Sequence, residues 1–300
     1  MKTLFTTLCL SVASSALVFA GSNDPHSFKA STDEITASSE ELEDVGDLRP
    51  RKEQGILSYF YGSAQAQGQY TTNSSLQGDH SNSDFLFLPT LQGGFDVPLG
   101  RGFSLDVLGR LESALYADAT NRAFWGASVA TTLGYKPFER GPRIYGQVQP
   151  YYYQAYNDDG HLASAIGLTA GIEQNVIINR GHTMLTGGYS FSQYYANPSR
   201  DDRDTNRFIV AVSQQLHKRV YAQLFYQFDY TQFEHPSLFT SQGSSDDRHD
   251  LRQILGLNCT YQITQSLFGT LGASLVDNDS NDRLADYQSF NVTAVLTYQF

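Results

Sequence analysis

The chain has 300 residues, and its 31 acidic and 20 basic residues give a net charge of −11 at pH 7. This balance argues against nucleic-acid binding, because phosphates require a basic protein surface. Only 17% of the residues are charged, 13% are aromatic, and the mean hydropathy is −0.35. That hydropathy is usual for a soluble protein. It equally fits a transmembrane β-barrel, in which lipid-facing and lumen-facing residues alternate and average out.

The first segment, residues 1–20, has the pattern of a secretory signal peptide. A basic residue precedes an apolar run over residues 4–17, and Ala20 ends a small-residue cleavage site. Cleavage there would remove Cys9 and leave Cys259 as the only cysteine of the exported chain. We therefore expect no internal disulfide, and stability has to come from a closed hydrogen-bonded architecture.

The second segment, residues 21–53, is acidic and rich in Ser, Thr and Ala, with few aromatic residues. It cannot bury enough apolar surface to fold alone, so we predict a disordered acidic leader in the periplasm. The alternative is a plug that folds back into the lumen of a barrel.

The remaining segment, residues 54–300, alternates apolar and polar residues with the period of two that is typical of strands. No apolar run in it reaches the ~20 residues of a membrane-spanning helix, whereas a tilted barrel strand needs only ~9–11. The pattern predicts about twelve strands in an all-β, antiparallel, up-and-down transmembrane barrel. They are Leu57–Gln69, Phe85–Val97, Phe103–Leu115, Trp125–Tyr135, Ile144–Tyr152, Leu162–Ile172, Leu185–Tyr195, Phe208–Val212, Val220–Tyr230, Leu251–Ile263, Leu267–Leu275 and Tyr287–Phe300.

Two features of this pattern are irregular. Pro89 and Pro150 fall inside predicted strands, where each lacks a ladder donor, so we expect a bulge or a register shift at each. The first strand has two rival apolar faces. One is Leu57, Tyr59 and Tyr61, and the other is Phe60, Ala64 and Ala66.

The connections alternate between two kinds. Short ones lie around residues 99–102, 136–142, 179–182, 217–219 and 264–266, and basic residues gather in this set. Longer ones, around 71–83, 118–121, 157–161, 197–205, 235–250 and 277–286, are rich in Asp, Asn and Ser. Short periplasmic turns and longer outer loops are typical of bacterial barrels, and an even strand count places both termini in the periplasm. A β-sandwich gives no reason for this alternation.

Seven charged residues share the strand face opposite the apolar one, and we expect them to line the pore. An Arg or Lys facing lipid would cost ~2–4 kcal/mol at the bilayer midplane, which favours the inward placement. They are Asp106, Arg110, Glu112, Glu173, Arg207, Asp229 and Arg252. Two interpretations stay open: these charges sort solutes by charge, or they pair with one another and fill the lumen.

Inward aromatic residues allow two interpretations as well. They could form a track that binds sugars, although packing of the lumen is favoured. The residues are Tyr145, Tyr151, Tyr153, Tyr194, Tyr221 and Phe225.

Little in the sequence points to catalysis, and we expect neither an enzyme nor a cofactor. The only His-x-Ser motif, at 235–237, lacks the Asn-Gly that follows the serine in outer-membrane phospholipases. The acidic run at 277–282 begins like a calcium loop but lacks the required Gly and Glu, so we predict no metal site. Cys259 fits a buried or lipid-facing apolar position.

The last strand ends on Phe300, with Tyr298 and Leu296 on the same face. This stretch resembles the closing strand of bacterial outer-membrane β-barrels, in which it implies recognition by the barrel-insertion machinery. Upstream, Asp246–Asp250 leads into two strands, an Asp/Asn/Ser loop and the terminal Phe. The last hundred residues thus resemble outer-membrane barrel proteins of the porin type, and also the barrel of surface-lipoprotein assembly modifiers.

The resemblance implies an outer-membrane location and a passive or weakly selective pore for small solutes. The alternative is a non-conducting barrel for adhesion or surface-lipoprotein export, and an outer-membrane lipase is the least favoured function. The expected partners are outer-membrane lipid, lipopolysaccharide, the insertion machinery and small solutes, without nucleic acid.

Overall fold

The computed structural model describes residues 60–73, 83–120, 123–138, 141–156, 161–178, 183–197, 199, 202–234, 247–282 and 285–300. These residues form a closed barrel of twelve strands, which confirms the predicted fold class. The strands are β1 (Phe60–Thr71), β2 (Asp84–Gly100), β3 (Phe103–Tyr116), β4 (Phe124–Tyr135), β5 (Arg143–Ala155), β6 (His161–Ile178), β7 (Thr183–Asn197), β8 (Arg203–His217), β9 (Val220–Phe233), β10 (His249–Gln262), β11 (Leu267–Ser280) and β12 (Tyr287–Gln299).

Every strand pairs antiparallel with its neighbours in the chain, and β1 pairs with β12 to close the cylinder. Closure removes the unpaired edges that an open sheet would expose. Within the described ranges, no helix has the length and apolar character to cross a membrane.

The burial pattern is the reverse of that in a soluble domain. Large apolar side chains lie exposed on the outer surface, for example Leu271 at 67% and Leu257 at 54%. Short polar side chains are buried on the inner face, for example Ser63 at 1% and Thr293 at 3%. Apolar surface left in water costs roughly 25 cal/mol per Å², so an outer surface of this kind requires a lipid environment.

The structure decides between the two rival faces of the first strand. Phe60, Ala64 and Ala66 face outward and are exposed, together with Tyr70. Tyr61 lies on the inner face, where its hydroxyl donates a hydrogen bond to Asp106.

The expectation of a bulge or register shift at each proline is wrong. β2 keeps one register with β3 on both sides of Pro89, and β4 keeps one register with β5 on both sides of Pro150. Only the pairing next to each proline is interrupted, since the missing N–H affects a single neighbouring strand. The register shifts lie near strand ends instead, at Pro98–Gly100, Tyr153–Gln154 and Gln215–His217.

One end of the barrel carries short turns, and the ends of the described chain lie there. The turn that joins β2 to β3 runs through Gly100, Arg101 and Gly102, with φ of 87°, 52° and 83°. Phe60 and Phe300 lie at the same end because the strand count is even. Residues 1–59, which include the predicted signal peptide and acidic leader, lie outside the described residues, as does the 235–237 motif.

Candidate pore lining

All seven charged residues predicted to line the pore lie on the strand face opposite the exposed apolar residues. On β3, for example, Asp106, Arg110 and Glu112 alternate with the outward-facing Val107 and Leu111. The alternation of side chains along each strand places the seven inside the cylinder.

The most buried of these charges is Asp229 on β9, at 1% exposure. Arg207 on β8 donates from Nε to Asp229 Oδ1 at 2.8 Å, and Arg252 on β10 donates from Nη2 to Oδ2 at 2.6 Å. Gln227 on the same strand donates its amide to both carboxylate oxygens. Two guanidinium groups therefore hold one carboxylate, and this network carries a net positive charge.

A second pair lies on β3. Arg110 Nε lies 2.9 Å from Glu112 Oε2, and the Tyr153 hydroxyl donates to Glu112 Oε1 at 3.1 Å. The Tyr153 ring reaches Glu112 by crossing Gly126 on β4, where a Cβ atom would lie 2.4 Å from the ring. A glycine at this position is therefore needed for the contact.

A third pair lies nearer the short turns. Arg143 Nη1 donates to Glu173 Oε1 at 3.1 Å across the β5–β6 ladder. Asp106 accepts a hydrogen bond from the Tyr61 hydroxyl at 2.8 Å. The described charges on the inner face are thus largely neutralised by close partners, as the pairing interpretation expects.

Three of the six aromatic residues predicted to face inward are packed against neighbouring strands, and the other three, Tyr145, Tyr194 and Tyr221, are half-buried. Tyr151, Tyr153 and Phe225 are 8%, 6% and 3% exposed. Phe225 lies over Gly256 of β10, where a Cβ atom would be 2.3 Å from the ring. These rings fill gaps over glycines in neighbouring strands and narrow the lumen.

Sequence reasoning missed Arg203, Phe233 and Arg248, three inner residues near Tyr194 at the long-loop end of β7 to β10. The guanidinium carbon of Arg203 lies 4.6 Å from the centre of the Tyr194 ring and 5.9 Å from that of Phe233. The guanidinium carbon of Arg248 lies 4.4 Å from the centre of the Phe233 ring. Arg248 also pairs with Asp250. Arg203 lies four residues before Arg207, so the alternation along a strand places both side chains on the same face. The apolar residues of β8 begin only at Phe208, however, so the sequence did not indicate that the strand starts at Arg203.

The barrel closes where β1 meets the end of β12. Phe300 lies on the outer face at 59% exposure, in line with Tyr298 and Leu296. The Tyr298 and Phe300 rings are 6.3 Å apart. These three residues form an apolar stripe at the short-turn end of the seam.

Within the described ranges, no group of three or more His, Cys, Asp or Glu side chains could hold a metal ion. Cys259 is exposed on the outer face of β10 beside Leu257 and Tyr261, a lipid-facing position.

Comparisons with known proteins support the fold and do not assign a family. No family model matches the chain. No curated protein matches it either. Among solved structures, the COG4313 outer membrane channel from Pseudomonas putida F1 is similar with a TM-score of 0.51 and 12% identity, covering 80% of this chain and 95% of that one.

Two further solved structures have lower scores. The β domain of the Bordetella autotransporter BrkA has a TM-score of 0.46 and 12% identity, over 81% of this chain and 100% of that one. The KdgM porin in complex with disordered oligogalacturonate has a TM-score of 0.44 and 10% identity, over 79% and 99%. At such identities the likeness concerns the fold alone: this chain has the architecture of an outer-membrane β-barrel.

Proposed function

We propose that the protein is an outer-membrane pore that passes small solutes with weak charge selectivity. The observation that carries this proposal is the inversion of the barrel, with apolar side chains outside and polar or ion-paired side chains inside. A closed sheet with a hydrophilic inner face offers a polar path through a bilayer.

Weak selectivity follows from the pairing of the inner charges. Arg110 is neutralised by Glu112, and Arg143 by Glu173. The network of Arg207, Arg252 and Asp229 retains one net positive charge, which the inner carboxylate of Asp106 offsets, so we expect no strong preference for anions or cations.

This proposal includes the cellular setting. The signal peptide over residues 1–20 would direct export, the leader over 21–53 would stay in the periplasm, and both termini would lie on that side. Lipid and lipopolysaccharide would surround the apolar outer surface. The barrel-insertion machinery would recognise Phe300 at the end of the last strand. Nothing in the described residues suggests an enzymatic role, and we propose none.

A non-conducting barrel is the second candidate, and one observation favours it. Ser63, Ser274 and Thr293 have short side chains on the inner face, yet they are 1%, 2% and 3% exposed. Short side chains along a wide water-filled lumen would be more exposed, so part of the interior is filled. A barrel of this kind would serve adhesion or lipoprotein export instead of permeation.

Planar-bilayer recording of the refolded protein separates the two candidates. Stepwise conductance in potassium chloride supports the pore. A silent bilayer, from protein whose gel mobility still changes on boiling as a folded barrel's does, supports the non-conducting barrel.

A further inference from the structure

The inner face of the barrel is exposed unequally around its circumference. On β6 to β8, small inward residues are half-buried and remain partly accessible; they include Thr169, Gly171, Thr186, Ser190, Ser192 and Ser213. On the far side of the cylinder, Ser63 of β1, Ser274 of β11 and Thr293 of β12 are only 1%, 2% and 3% exposed. Small residues of the same kind are therefore accessible on one wall and covered on the other.

Packed side chains cover the far wall. The Phe225 ring of β9 lies over Gly256 of β10. Further round the barrel, a Cβ atom at Gly272 of β11 would lie 2.5 Å from the Asn258 amide oxygen and 2.6 Å from the Thr293 hydroxyl. These side chains occupy the space in front of β10, β11 and β12, which explains the burial of small residues there.

The inner face of β4 is covered in a similar way by side chains from β5. Gln147 donates its amide to the Thr132 hydroxyl at 3.0 Å, and Gln149 donates to the Ser128 hydroxyl at 3.2 Å. The two hydroxyl residues are buried as a result. The wall formed by β6, β7 and β8 is thus the more accessible part of the inner face.

The charged residues follow the same asymmetry. The Arg207 side chain on β8 is 38% exposed, whereas its partner Asp229 is 2% exposed and Arg252, which shares that carboxylate, is 13% exposed. Arg207 binds Asp229 through Nε and Nη2, and its Nη1 makes no hydrogen bond to a described residue. Arg143 and Glu173, at 31% and 39%, neutralise each other. Arg207 therefore presents a positive charge on the accessible wall while its partner lies buried.

We propose that solutes cross the barrel off-centre, along the inner face of β6 to β8, and that Arg207 is the residue that discriminates between charged solutes there. Hydroxyl groups on this wall exchange hydrogen bonds with the hydration shell of a passing solute. An anion meets the exposed guanidinium, and a cation is repelled by it, although Asp229 directly behind weakens both effects. This inference rests on the proposed pore, to which it adds a route and a selectivity residue.

Cysteine accessibility tests the route. Ser192→Cys on β7 and Ser274→Cys on β11 form a matched pair, since both are inward serines near the middle of their strands. The background carries Cys9→Ser and Cys259→Ser, and the reagent is the cationic trimethylammonium-ethyl methanethiosulfonate. Its charge keeps it in water and gives it no attraction to Arg207.

The cysteine at position 192 should react many times faster than the one at 274, because only an accessible thiolate attacks the reagent. The reaction should lower the single-channel current of the Ser192→Cys barrel and leave that of the Ser274→Cys barrel unchanged. A change of gel mobility on boiling confirms that each variant is folded. Thr169→Cys and Thr293→Cys form a second pair if either serine variant does not fold.

Arg207→Gln and Arg252→Gln test the selectivity residue, since each removes one guanidinium from the same carboxylate. Arg207→Gln should shift the reversal potential across a potassium chloride gradient toward cation preference. Arg252→Gln should shift it clearly less, because that side chain is buried. Arg207→Lys keeps the charge and should retain the wild-type value.

Each part of the inference has a result that overturns it. Equal reaction rates at positions 192 and 274 in a conducting barrel would reject the off-centre route and leave the pore standing. Equal shifts for Arg207→Gln and Arg252→Gln would reject the role of Arg207. A wild-type barrel that inserts but passes no current would reject the pore and the route with it, whatever the reaction rates.

Discussion

Gly62 and Phe300 bind each other at the closing seam of the barrel. Phe300 N donates to Gly62 O at 3.0 Å, and Gly62 N donates to Phe300 O at 3.1 Å. The Phe300 ring lies over the glycine so closely that a Cβ atom there would be 2.4 Å from ring carbon Cε2. The last residue of the chain therefore completes the ladder that joins β12 to β1, beyond the final pair Ser63–Gln299.

Phe300→Asp should sharply lower the amount of protein in the outer membrane while export continues. The substitution removes the ring from the seam and places a charge on the lipid-facing stripe. Gln299→Asp is the control, because Gln299 points to the inner face of the same strand. The measurement is the amount of the protein in outer-membrane and periplasmic fractions. Equal outer-membrane levels for Phe300→Asp and wild type would contradict the role of the terminal residue.

Asp229→Asn should destabilise the barrel by about 3 kcal/mol, because it leaves the guanidinium groups of Arg207 and Arg252 without their shared carboxylate. It should also move the reversal potential toward anion preference. Asp277→Asn is the matched control, since Asp277 is exposed on the outer face of β11. Urea unfolding in detergent and reversal potentials across a salt gradient are the measurements. A variant as stable as the Asp277→Asn control would show that the network contributes nothing.

Arg110→Glu should shift ion preference toward cations and lower the thermal midpoint. The new carboxylate would face Glu112, whose present partner lies at 2.9 Å, so two like charges would share one strand face. Arg110→Gln is the control: it removes the charge without adding repulsion, and its midpoint should fall less. A variant with unchanged reversal potential in a conducting barrel would place Arg110 away from the ion path.

Gly94→Ala should destabilise the barrel by roughly 1–3 kcal/mol, as overpacking does. A Cβ atom at Gly94 would lie 2.3 Å from the carbonyl oxygen of Val107, a backbone atom that cannot move aside. Gly146→Ala is the matched control, because no atom lies within 4 Å of its Cβ position. The thermal midpoint of each refolded variant gives the answer, and equal midpoints would count against the close β2–β3 approach.

Much of the fold could be predicted because alternation with a period of two reports directly which face meets lipid. The predicted strands fall within or close to the observed ones, and the terminal strand is recovered from Tyr287 onward. The same alternation predicts that Arg207, Asp229 and Arg252 face inward. Their meeting in one network depends on the register between β8, β9 and β10, which no single strand encodes.

The errors and omissions have physical causes. Pro89 and Pro150 suggested bulges. The barrel tolerates the backbone hydrogen bonding lost at each proline, because the strand pairing continues in the same register on both sides of it. Arg203 and Arg248 were missed because the strand ends near the long loops are polar. They lack the alternating apolar residues that show which side chains face inward. The contact between Tyr153 and Glu112 depends on Gly126 leaving room for the tyrosine ring, a relationship between residues far apart in the chain.

The conductance of the wild-type barrel in a planar bilayer tests the central proposal most directly. We expect stepwise openings and a reversal potential close to zero across a potassium chloride gradient, because most described inner charges are paired. Heat-modifiable protein that inserts yet passes no current would contradict the pore. A reversal potential near the limit for a single ion would contradict weak selectivity.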